Sequence, residues 1–430
     1  MMAKPWIRLL PVMMLTYIIA FMDRTNIGFA IPLMGKELHF SPAILGFASG
    51  VLFLGYGVSQ TAGGWLADRG HGKALIAWLL VLWGVTELLQ AFIQTPGQLV
   101  AVRFALGLLE GGIFPTMLLF VRNWFAPSER ARANGVWQLS YPLAAMLNGP
   151  IAGLVLSHNS WRMLFIVEGI FPIVWVLVWL WGVADSPRKA RWLTPSERDA
   201  ILAKLEEPSA TVPALPQASI ATSSVGAELR RRPVLLYCAA VFLWNVGFLG
   251  FVIWLPSVLH QDKSLSQVDV GWLSAIPFAA AIVVMPILTS LSDRTLNRRF
   301  YTAVPILLSG LCLAAAGLTY AGNGLLANML LITAAGAMLY GSQPVLWSIP
   351  ADIVSGGVLG TVMGIMNGIG VLGAFAGPYL VGYVRGLSGN FGSGLITMGI
   401  CLVLSSLLIS LIREAQAAPI AAARSTAHLV

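Results

Sequence analysis

Twelve apolar runs, each long enough to cross a lipid bilayer, constrain the fold of this sequence more than any other feature. They cover about 7–33, 43–67, 74–93, 97–121, 134–157 and 161–183, then 233–260, 268–291, 300–320, 325–348, 356–383 and 391–412. Charged residues make up only 10% of the 430-residue chain, whereas soluble domains carry about 25%. We therefore predict an all-α membrane protein, since a helix satisfies its own backbone hydrogen bonds in lipid.

The runs form two sets of six, separated by a polar stretch. We predict a first six-helix bundle over residues 1–185, a cytoplasmic linker over 186–232, and a second bundle with a short tail over 233–430. The sequence from Thr194 to Glu197 is a capping box with proline at the first helical position, which predicts a short helix in the linker. Residues 208–226 are rich in Pro, Ala, Ser and Thr, a composition typical of a flexible connection.

Short motifs recur in the two halves at nearly constant spacing. Asp68-Arg69 ends the second run and Asp293-Arg294 ends the eighth, while Gly149-Pro150 of the fifth run recurs as Gly377-Pro378 of the eleventh. The repeat predicts two pseudo-symmetric bundles. In transporters built this way, the substrate lies between the halves near the middle of the membrane.

Lysine and arginine are distributed unevenly over the loops. If both termini are cytoplasmic, most of the 26 Lys and Arg residues fall on the cytoplasmic side, as the positive-inside rule requires. We therefore expect a multi-pass protein of the cell (inner) membrane with both termini inside. The +8 net charge follows from the same rule, so we expect the bilayer as a partner and no nucleic acid. We further expect a monomer, and no cofactor or metal site, because Cys and His show no ligand spacing.

Asp23 and Arg24 lie near the middle of the first apolar run. A charged side chain at that depth costs about 2.5–3.5 kcal/mol even on the lenient insertion scale. Such a pair should face a bundle interior or a water-filled cavity, and it indicates a path through the membrane for a polar solute. We therefore expect a transporter rather than an enzyme, because the sequence also offers no nucleophile–base or metal set.

Arg103 and Glu110 lie seven residues apart in the fourth run, and so share a helix face about 10 Å apart along the axis. Arg103 is the better candidate for a substrate carboxylate, because its planar fork binds such groups through two parallel hydrogen bonds. The alternative is a structural ion pair with Glu110 or Asp23. Arg24 is either a second anion contact or a partner that holds Asp23 in place.

Charge counting indicates a coupling mechanism. The four charges Asp23, Glu110, Arg24 and Arg103 sum to zero, so a bound monocarboxylate leaves one uncompensated negative charge in a medium of low dielectric constant. A carboxylate then takes up a proton. Anion and proton binding should therefore favour each other, as a proton-coupled importer requires. Glu87 and Glu168 lie nearer the outer ends of their runs. We interpret both as structural, with Glu168 paired to Arg162.

The segment Gly64-Trp-Leu-Ala-Asp68-Arg69-Gly-His-Gly-Lys73 resembles the cytoplasmic signature between helices two and three of the major facilitator superfamily. His71 stands where that signature usually has glycine. The resemblance implies a latch between helices, formed by Gly64, Asp68, Arg69 and Arg130, that does not touch substrate.

A second set of motifs resembles the anion:cation symporter family, which includes bacterial sugar-acid, tartrate and aromatic-acid permeases. The matching pieces are Phe21-Met-Asp23-Arg24-Thr-Asn26-Ile-Gly28, Gly55-Tyr56, Arg103-Phe-Ala-Leu-Gly107-Leu-Leu-Glu110-Gly-Gly, Trp124-Phe125-Ala-Pro127, Trp161-Arg162-Met-Leu-Phe165-Ile-Val-Glu168-Gly169, Asp185-Ser-Pro187 and Gln343-Pro-Val-Leu-Trp347-Ser-Ile-Pro350. They cover most of the chain in the family order.

This resemblance implies that Asp23 and Glu110 carry protons and that the substrate is a small organic anion. Family position also implies substrate contacts at Trp347 and Asn367, with Tyr56 and Gln138 as comparable candidates in the first half. The second half has no charged residue deep in its runs, and it offers polar and aromatic candidates instead: Asn245, Tyr340, Ser342 and Gln343. Ordinary helix–helix hydrogen bonding explains each of them equally well. Phe21 replaces a tyrosine common in sugar-acid carriers, which leaves an aromatic acid open as substrate.

Other functions remain as alternatives. Gly149-Pro150-Ile-Ala-Gly153 partly matches the signature of drug/proton antiporters of the same fold, although Ala145 and Val136 stand where two of its glycines are expected. A non-transporting nutrient sensor would need a signalling domain, for which the tail after residue 412 is too short.

Overall fold

The structure is a computed structural model that describes residues 4–126, 128–206, 224–320, 324–354 and 358–412. In this part of the chain every regular element is a helix. Twelve helices there are long and apolar enough to span a membrane: α1 Pro5–Leu38, α2 Pro42–Leu66, α3 Arg69–Gln90, α4 Pro96–Trp124, α5 Arg132–His158, α6 Trp161–Gly182, α7 Arg232–Leu259, α8 Gln267–Thr295, α9 Arg298–Leu318, α10 Leu325–Leu346, α11 Leu359–Ser388 and α12 Gly392–Ser410. They correspond one to one with the predicted runs.

The predicted linker helix is confirmed over Pro195–Glu206. Thr194 and Glu197 form the capping box, with the Thr194 amide donating to the Glu197 carboxylate at 2.9 Å. Lys4 pairs with the same carboxylate at 2.8 Å, which joins the start of α1 to the linker. These donors hold the pKa of Glu197 at about 2, so the contact persists at neutral pH. Residues 208–223 of the predicted flexible connection, and the tail from 413, lie outside the described residues.

The packing of the first six helices repeats in the second six. Helix α1 packs on α5, α2 on α4 and α3 on α6, and the pairs α7–α11, α8–α10 and α9–α12 pack in the same way. Each contact therefore recurs six helices later, which is the pseudo-symmetry that the motif repeat predicts. The two bundles meet mainly through two equivalent pairs, α2 with α11 and α5 with α8, and a smaller contact joins the second half of α1 to α7.

In each of these two pairs, glycine brings the backbones of the two bundles into contact along part of the helix length. A Cβ atom at Gly50 of α2 would lie 2.2 Å from the Phe375 carbonyl oxygen of α11. A Cβ atom at Gly149 of α5 would lie 2.3 Å from the Gly271 carbonyl oxygen of α8. No side chain fits at either distance, so only glycine permits this approach.

The pair α2–α11 separates towards its other end. Asn367 of α11 donates to Gln60 of α2 at 2.8 Å, beyond the glycine contacts along both helices. One and two turns further on, Gly364 and Gly360 lie on the same face of α11, and a Cβ atom at either would meet no atom within 4 Å. Helices α2 and α11 are thus in contact from the Ser41 end of α2 to Gln60, and they part beyond that point.

Candidate functional site

The first buried charge pair joins α1 to α4. Arg24 Nε donates to Glu110 Oε2, and the two residues are 4% and 0% exposed. We expected Arg24 either to contact the anion or to hold Asp23 in place. The second role is wrong, because Arg24 forms its ion pair with Glu110. The two residues come from different helices, so the spacing along α1 could not have identified the partner.

Arg103 of α4 is wholly buried beside this pair. Its Nη2 donates to the carbonyl oxygen of Arg24 at 3.3 Å. Its Nε and Nη1 atoms have no hydrogen-bond partner among the described residues, and neither does Nη2 of Arg24. The structural alternative for Arg103, an ion pair with Glu110 or Asp23, is not formed within 4.0 Å in this part of the chain. Both Arg103 and Glu110 contact Arg24, which confirms that they share one face of α4.

Tyrosines surround the Arg24 guanidinium. Its carbon lies 4.6 Å from the ring centre of Tyr56 and 5.6 Å from that of Tyr17. The Tyr17 hydroxyl is 2.6 Å from the Tyr141 hydroxyl of α5. Tyr56 was expected here from the sequence, whereas Tyr17 and Tyr141 were not. Tyr17 precedes Arg24 by seven residues, so the two-turn spacing that linked Arg103 to Glu110 could also have identified it.

Phe21 packs its ring edge-on against Tyr141, with 5.1 Å between the ring centres. Phe21 has no hydroxyl, but Tyr141 on another helix brings a tyrosine hydroxyl to the same region of the site. Gln138, three residues before Tyr141, is half-buried. A role of Gln138 in substrate contact stays a prediction.

Three acids from three helices form a second buried group, here named the acid cluster: Asp23 of α1, Glu87 of α3 and Glu168 of α6. Their nearest carboxylate oxygens all lie within 4.8 Å of one another, and the residues are at most 3% exposed. The predicted pair between Glu168 and Arg162 is wrong, since Arg162 binds Glu37 instead.

Two amide side chains hold Glu87. Asn26 donates to Glu87 Oε1 at 2.5 Å, and Gln90 donates to Glu87 Oε2. Asn26 also donates to Asp23 at 3.4 Å. Asn26 and Gln90 each lie three residues from the acid they contact on the same helix, a spacing that brings side chains together. That spacing is the signal by which the sequence could have revealed them. The expectation that the chain has no metal site or cofactor stays a prediction.

In the described part of the chain, the second bundle contributes aromatic rings and the unpaired hydroxyl of Tyr340. Tyr340 is fully buried between Phe248 and Phe278, with ring centres 4.7 and 5.3 Å away, and its hydroxyl has no partner among the described residues. Trp347 is half-buried and lies edge-on to Trp244 at 6.4 Å. This arrangement suits ring stacking or hydroxyl recognition, as expected for this half.

Three of the other predicted polar contacts of the second bundle are engaged within the protein: Asn245, Ser342 and Asn367. Asn245 donates to the Val241 carbonyl of its own helix at 3.0 Å, and Ser342 donates to Leu339 at 2.9 Å. Asn367 bonds to Gln60 across the bundles, so in this state it joins helices rather than facing a substrate. Gln343 is half-buried, and its Oε1 atom accepts no hydrogen bond within the described ranges.

The predicted latch lies far from the buried charges along α2 and α3. Arg130 donates to the carbonyl oxygens of Phe125 and Arg122 at 3.2 and 3.1 Å. A Cβ atom at Gly64 would lie 3.4 Å from the Pro115 side chain, so the two helices approach closely here. The Asp68 side chain lies outside the described residues, so its predicted contact with Arg130 stays a prediction.

Two further contacts fix the α2–α3 turn. The Arg69 guanidinium stacks 3.6 Å from the Trp65 ring centre. Asp185, which follows α6, accepts a 2.7 Å hydrogen bond from the Lys73 amide in the first turn of the helix that begins at Gly72. A carboxylate at this position satisfies an otherwise unpaired helix amide. Asp185 thus caps the start of this helix.

Known proteins are similar in sequence to this chain over almost its full length. The chain is 31% identical over 430 residues to a "Putative tartrate transporter" of Agrobacterium vitis, with 98% of this chain and 92% of the relative covered. It is 30% identical over 412 residues to a "Probable sulfoacetate transporter" of Cupriavidus necator, with 94% and 93% covered. It is also 26% identical over 407 residues to a "Quinolone resistance transporter" of Acinetobacter baumannii, with 93% and 92% covered.

The fold has solved counterparts. The structure superposes on the inward-open conformation of the xylose transporter XylE from E. coli with a TM-score of 0.75, 16% sequence identity, and 95% and 97% of the two chains covered. At that identity the likeness concerns the fold alone. Residues 13–378 match the family model described as Major Facilitator Superfamily. Together with the twelve spans and the two repeated bundles, this match places the chain in the Major Facilitator Superfamily, as a multi-pass membrane transporter and not an enzyme.

Proposed function

We propose that this protein is a proton-coupled symporter that imports a small organic anion across the cell (inner) membrane by alternating access. Relatives named as tartrate and sulfoacetate transporters support an organic-anion substrate. The motifs around Asp23, Arg103 and Trp347 support the same class. The positive-inside pattern supports cytoplasmic termini, and we expect the monomer to be the transporting unit.

The observation that carries this proposal is the set of unpaired guanidinium nitrogens on Arg24 and Arg103. Three of their nitrogens lack a partner among the described residues, although the two side chains are at most 4% exposed. Buried N–H groups of a charged side chain are costly to leave unsatisfied. A carboxylate accepts several hydrogen bonds and carries the opposite charge, so it is the ligand that this site fits best.

The Arg24–Glu110 ion pair gives a physical basis for coupling. A substrate carboxylate that binds Arg24 competes with Glu110 for the same guanidinium. Glu110, once displaced, is a buried anion without its partner, and a proton relieves that cost. When Glu110 loses the proton, it pairs with Arg24 again and expels the substrate. Anion and proton are therefore bound together and released together.

The closed and parted ends of the bundles fit one step of alternating access. With the termini inside, the glycine contacts close the outer half, and the space beyond Gln60 and Asn367 opens inward. The reverse state then closes the inner half, which is the rocking motion that such repeats permit.

Purified protein in proteoliposomes tests the proposal. An inward proton gradient should drive accumulation of a radiolabelled carboxylate, and a protonophore should abolish it. Asp23→Asn should lose gradient-driven uptake. Uptake that ignores the proton gradient in the wild type would contradict coupling. A thermal-shift panel of sugar acids, dicarboxylates and aromatic acids would identify the carboxylate to label.

A second candidate is a drug/proton antiporter. The relative named as a quinolone resistance transporter and the partial helix-five signature favour it. In the same liposomes an antiporter would move a cationic or zwitterionic drug in the direction opposite to the proton flow. The carboxylates of the thermal-shift panel would not stabilise such a protein. Uptake of a carboxylate with protons would exclude this candidate.

A further inference from the structure

The acid cluster contains more hydrogen-bond acceptors than donors. Asn26 and Gln90 direct their amide nitrogens to Glu87, which leaves five buried oxygens without a partner in the described part of the chain: both carboxylate oxygens of Glu168, Asp23 Oδ2, Asn26 Oδ1 and Gln90 Oε1. Glu168 is the extreme case. It is 3% exposed, and neither of its oxygens accepts a hydrogen bond within the described residues.

The charged groups around the cluster also show an excess, namely of acids over cations. Four acids, namely Asp23, Glu87, Glu110 and Glu168, share two cations, Arg24 and Arg103. Four negative and two positive charges leave a net charge of −2 if all six groups are ionised. Arg24 is committed to Glu110, and the hydrogen bond of Arg103 goes to the Arg24 carbonyl oxygen. The charged groups that act on Glu168 are themselves acids, Glu87 from α3 and Asp23 from α1.

We propose that Glu168 is a proton-binding residue of the transport cycle, which shares the acid cluster with Asp23 and Glu87. A protonated Glu168 has one O–H donor to offer, and the Asn26 and Gln90 oxygens are acceptors that lack one. Two protons, on Asp23 and Glu168, also bring the net charge of the six groups to zero. A protonated carboxyl therefore resolves the hydrogen-bond excess and the charge excess together.

This inference deepens the proposed function and rests on its proton coupling. It identifies Glu168, which the sequence indicated as structural, as a second carboxyl that contributes to proton number. If a proton from Glu168 accompanies a monovalent anion inward together with the proton that Glu110 binds, each cycle moves one net positive charge. The membrane potential then adds about 2.3 kcal/mol per 100 mV to accumulation.

Infrared spectroscopy of the purified protein in lipid tests the protonation without any transport. The wild type at neutral pH should show carbonyl-stretch bands of protonated carboxyl groups that shift in D₂O. Glu168→Gln should remove one band, and Glu168→Asp should restore a band at a changed position. Glu37→Gln, which alters the half-exposed acid paired with Arg162, is the matched control and should leave these bands unchanged. An unchanged spectrum in Glu168→Gln would overturn the proposal.

Two further measurements separate the outcomes. In proteoliposomes, the number of protons moved per anion should fall by one in Glu168→Gln; loss of the band with an unchanged ratio would remove Glu168 from the cycle. If NaCl, compared with choline chloride, stabilises the wild type but not Glu168→Gln, the occupant is sodium and the assignment of a proton is wrong. If wild-type uptake does not respond to protons, the proposed function fails, while the infrared result still decides whether Glu168 is protonated.

Discussion

Arg24 pairs with Glu110 on the neighbouring helix and not with the adjacent Asp23. The bond joins the residue best placed to share an anion with Arg103 to an acid that can hold a proton. The Arg24 guanidinium cannot bind the Glu110 carboxylate and a substrate carboxylate fully at the same time. Which of the two it binds therefore depends on both the anion and the proton.

Arg103→Lys should weaken anion binding about tenfold to a hundredfold, although it keeps the positive charge. Lysine offers a point charge and cannot reproduce two parallel hydrogen bonds, each worth about 1.5–3 kcal/mol when one partner is charged. Arg103→Ala should abolish measurable binding. Isothermal titration with the identified carboxylate measures both effects. Arg162→Lys, on the surface pair with Glu37, serves as control and should bind like the wild type, and full affinity in Arg103→Ala would exclude Arg103 from the site.

Glu110→Gln should separate exchange from accumulation. Glutamine cannot gain or lose a proton, and it releases Arg24 from its ion pair. Counterflow of labelled anion should therefore persist and lose its pH dependence, whereas uptake driven by a proton gradient should vanish. The assay is paired counterflow and gradient-driven uptake in the same liposomes. Retained gradient-driven accumulation would show that Glu110 does not carry the coupling proton.

Gly50→Ala should shift the conformational equilibrium away from the closed state of the α2–α11 contact. The new methyl group meets a backbone carbonyl at 2.2 Å, and overpacking of this kind costs about 1–3 kcal/mol. Distances between spin labels on the two helices measure the shift. Gly364→Ala on the open part of α11 is the matched control. Equal distance distributions for Gly50→Ala and the wild type would contradict the close approach.

Asn367→Ala should ease the separation of the bundles by a smaller amount. The hydrogen bond to Gln60 is the contact beyond which α2 and α11 part, and a neutral bond contributes about 0.5–1.5 kcal/mol. A double-mutant cycle with Gln60→Ala, read out by the same spin-label distances, isolates the pair. Additive effects of the two substitutions would mean that the bond has no influence on the equilibrium, and that Asn367 is free for substrate contact.

The sequence predicted the twelve spans and the repeat of the bundles because span length and apolar composition are local properties. It also predicted that Arg103 and Glu110 share a face, since helix geometry fixes their spacing. It did not predict which acid Arg24 would choose, because α1 and α4 meet only after the bundle has formed. The predicted pair of Glu168 with Arg162 was wrong for the same reason. Arg162 lies near Glu168 in sequence, but the partner of Arg162, Glu37, comes from the end of α1.

Asn26 and Gln90 illustrate a different limit. Their spacing from Asp23 and Glu87 is visible in the sequence, yet an amide three residues from an acid is too common to stand out. Only the three-helix geometry shows that both amides point at Glu87 and leave Glu168 without a donor. Buried charge is therefore easier to predict than the network that surrounds it.

The contacts at Gly50 and Gly149 oppose backbone to backbone, so no side chain there has to change rotamer when the bundles separate. Long interlocked side chains would have to withdraw one by one, and each would add to the activation barrier. Two helix surfaces that meet at glycines can separate as nearly rigid bodies instead. The rate of the conformational change then depends mainly on the side-chain contacts that remain between the bundles, such as Phe47 against Phe375 and the Gln60–Asn367 hydrogen bond. The turnover number becomes adjustable at a position such as Gln60 without any change to the buried site.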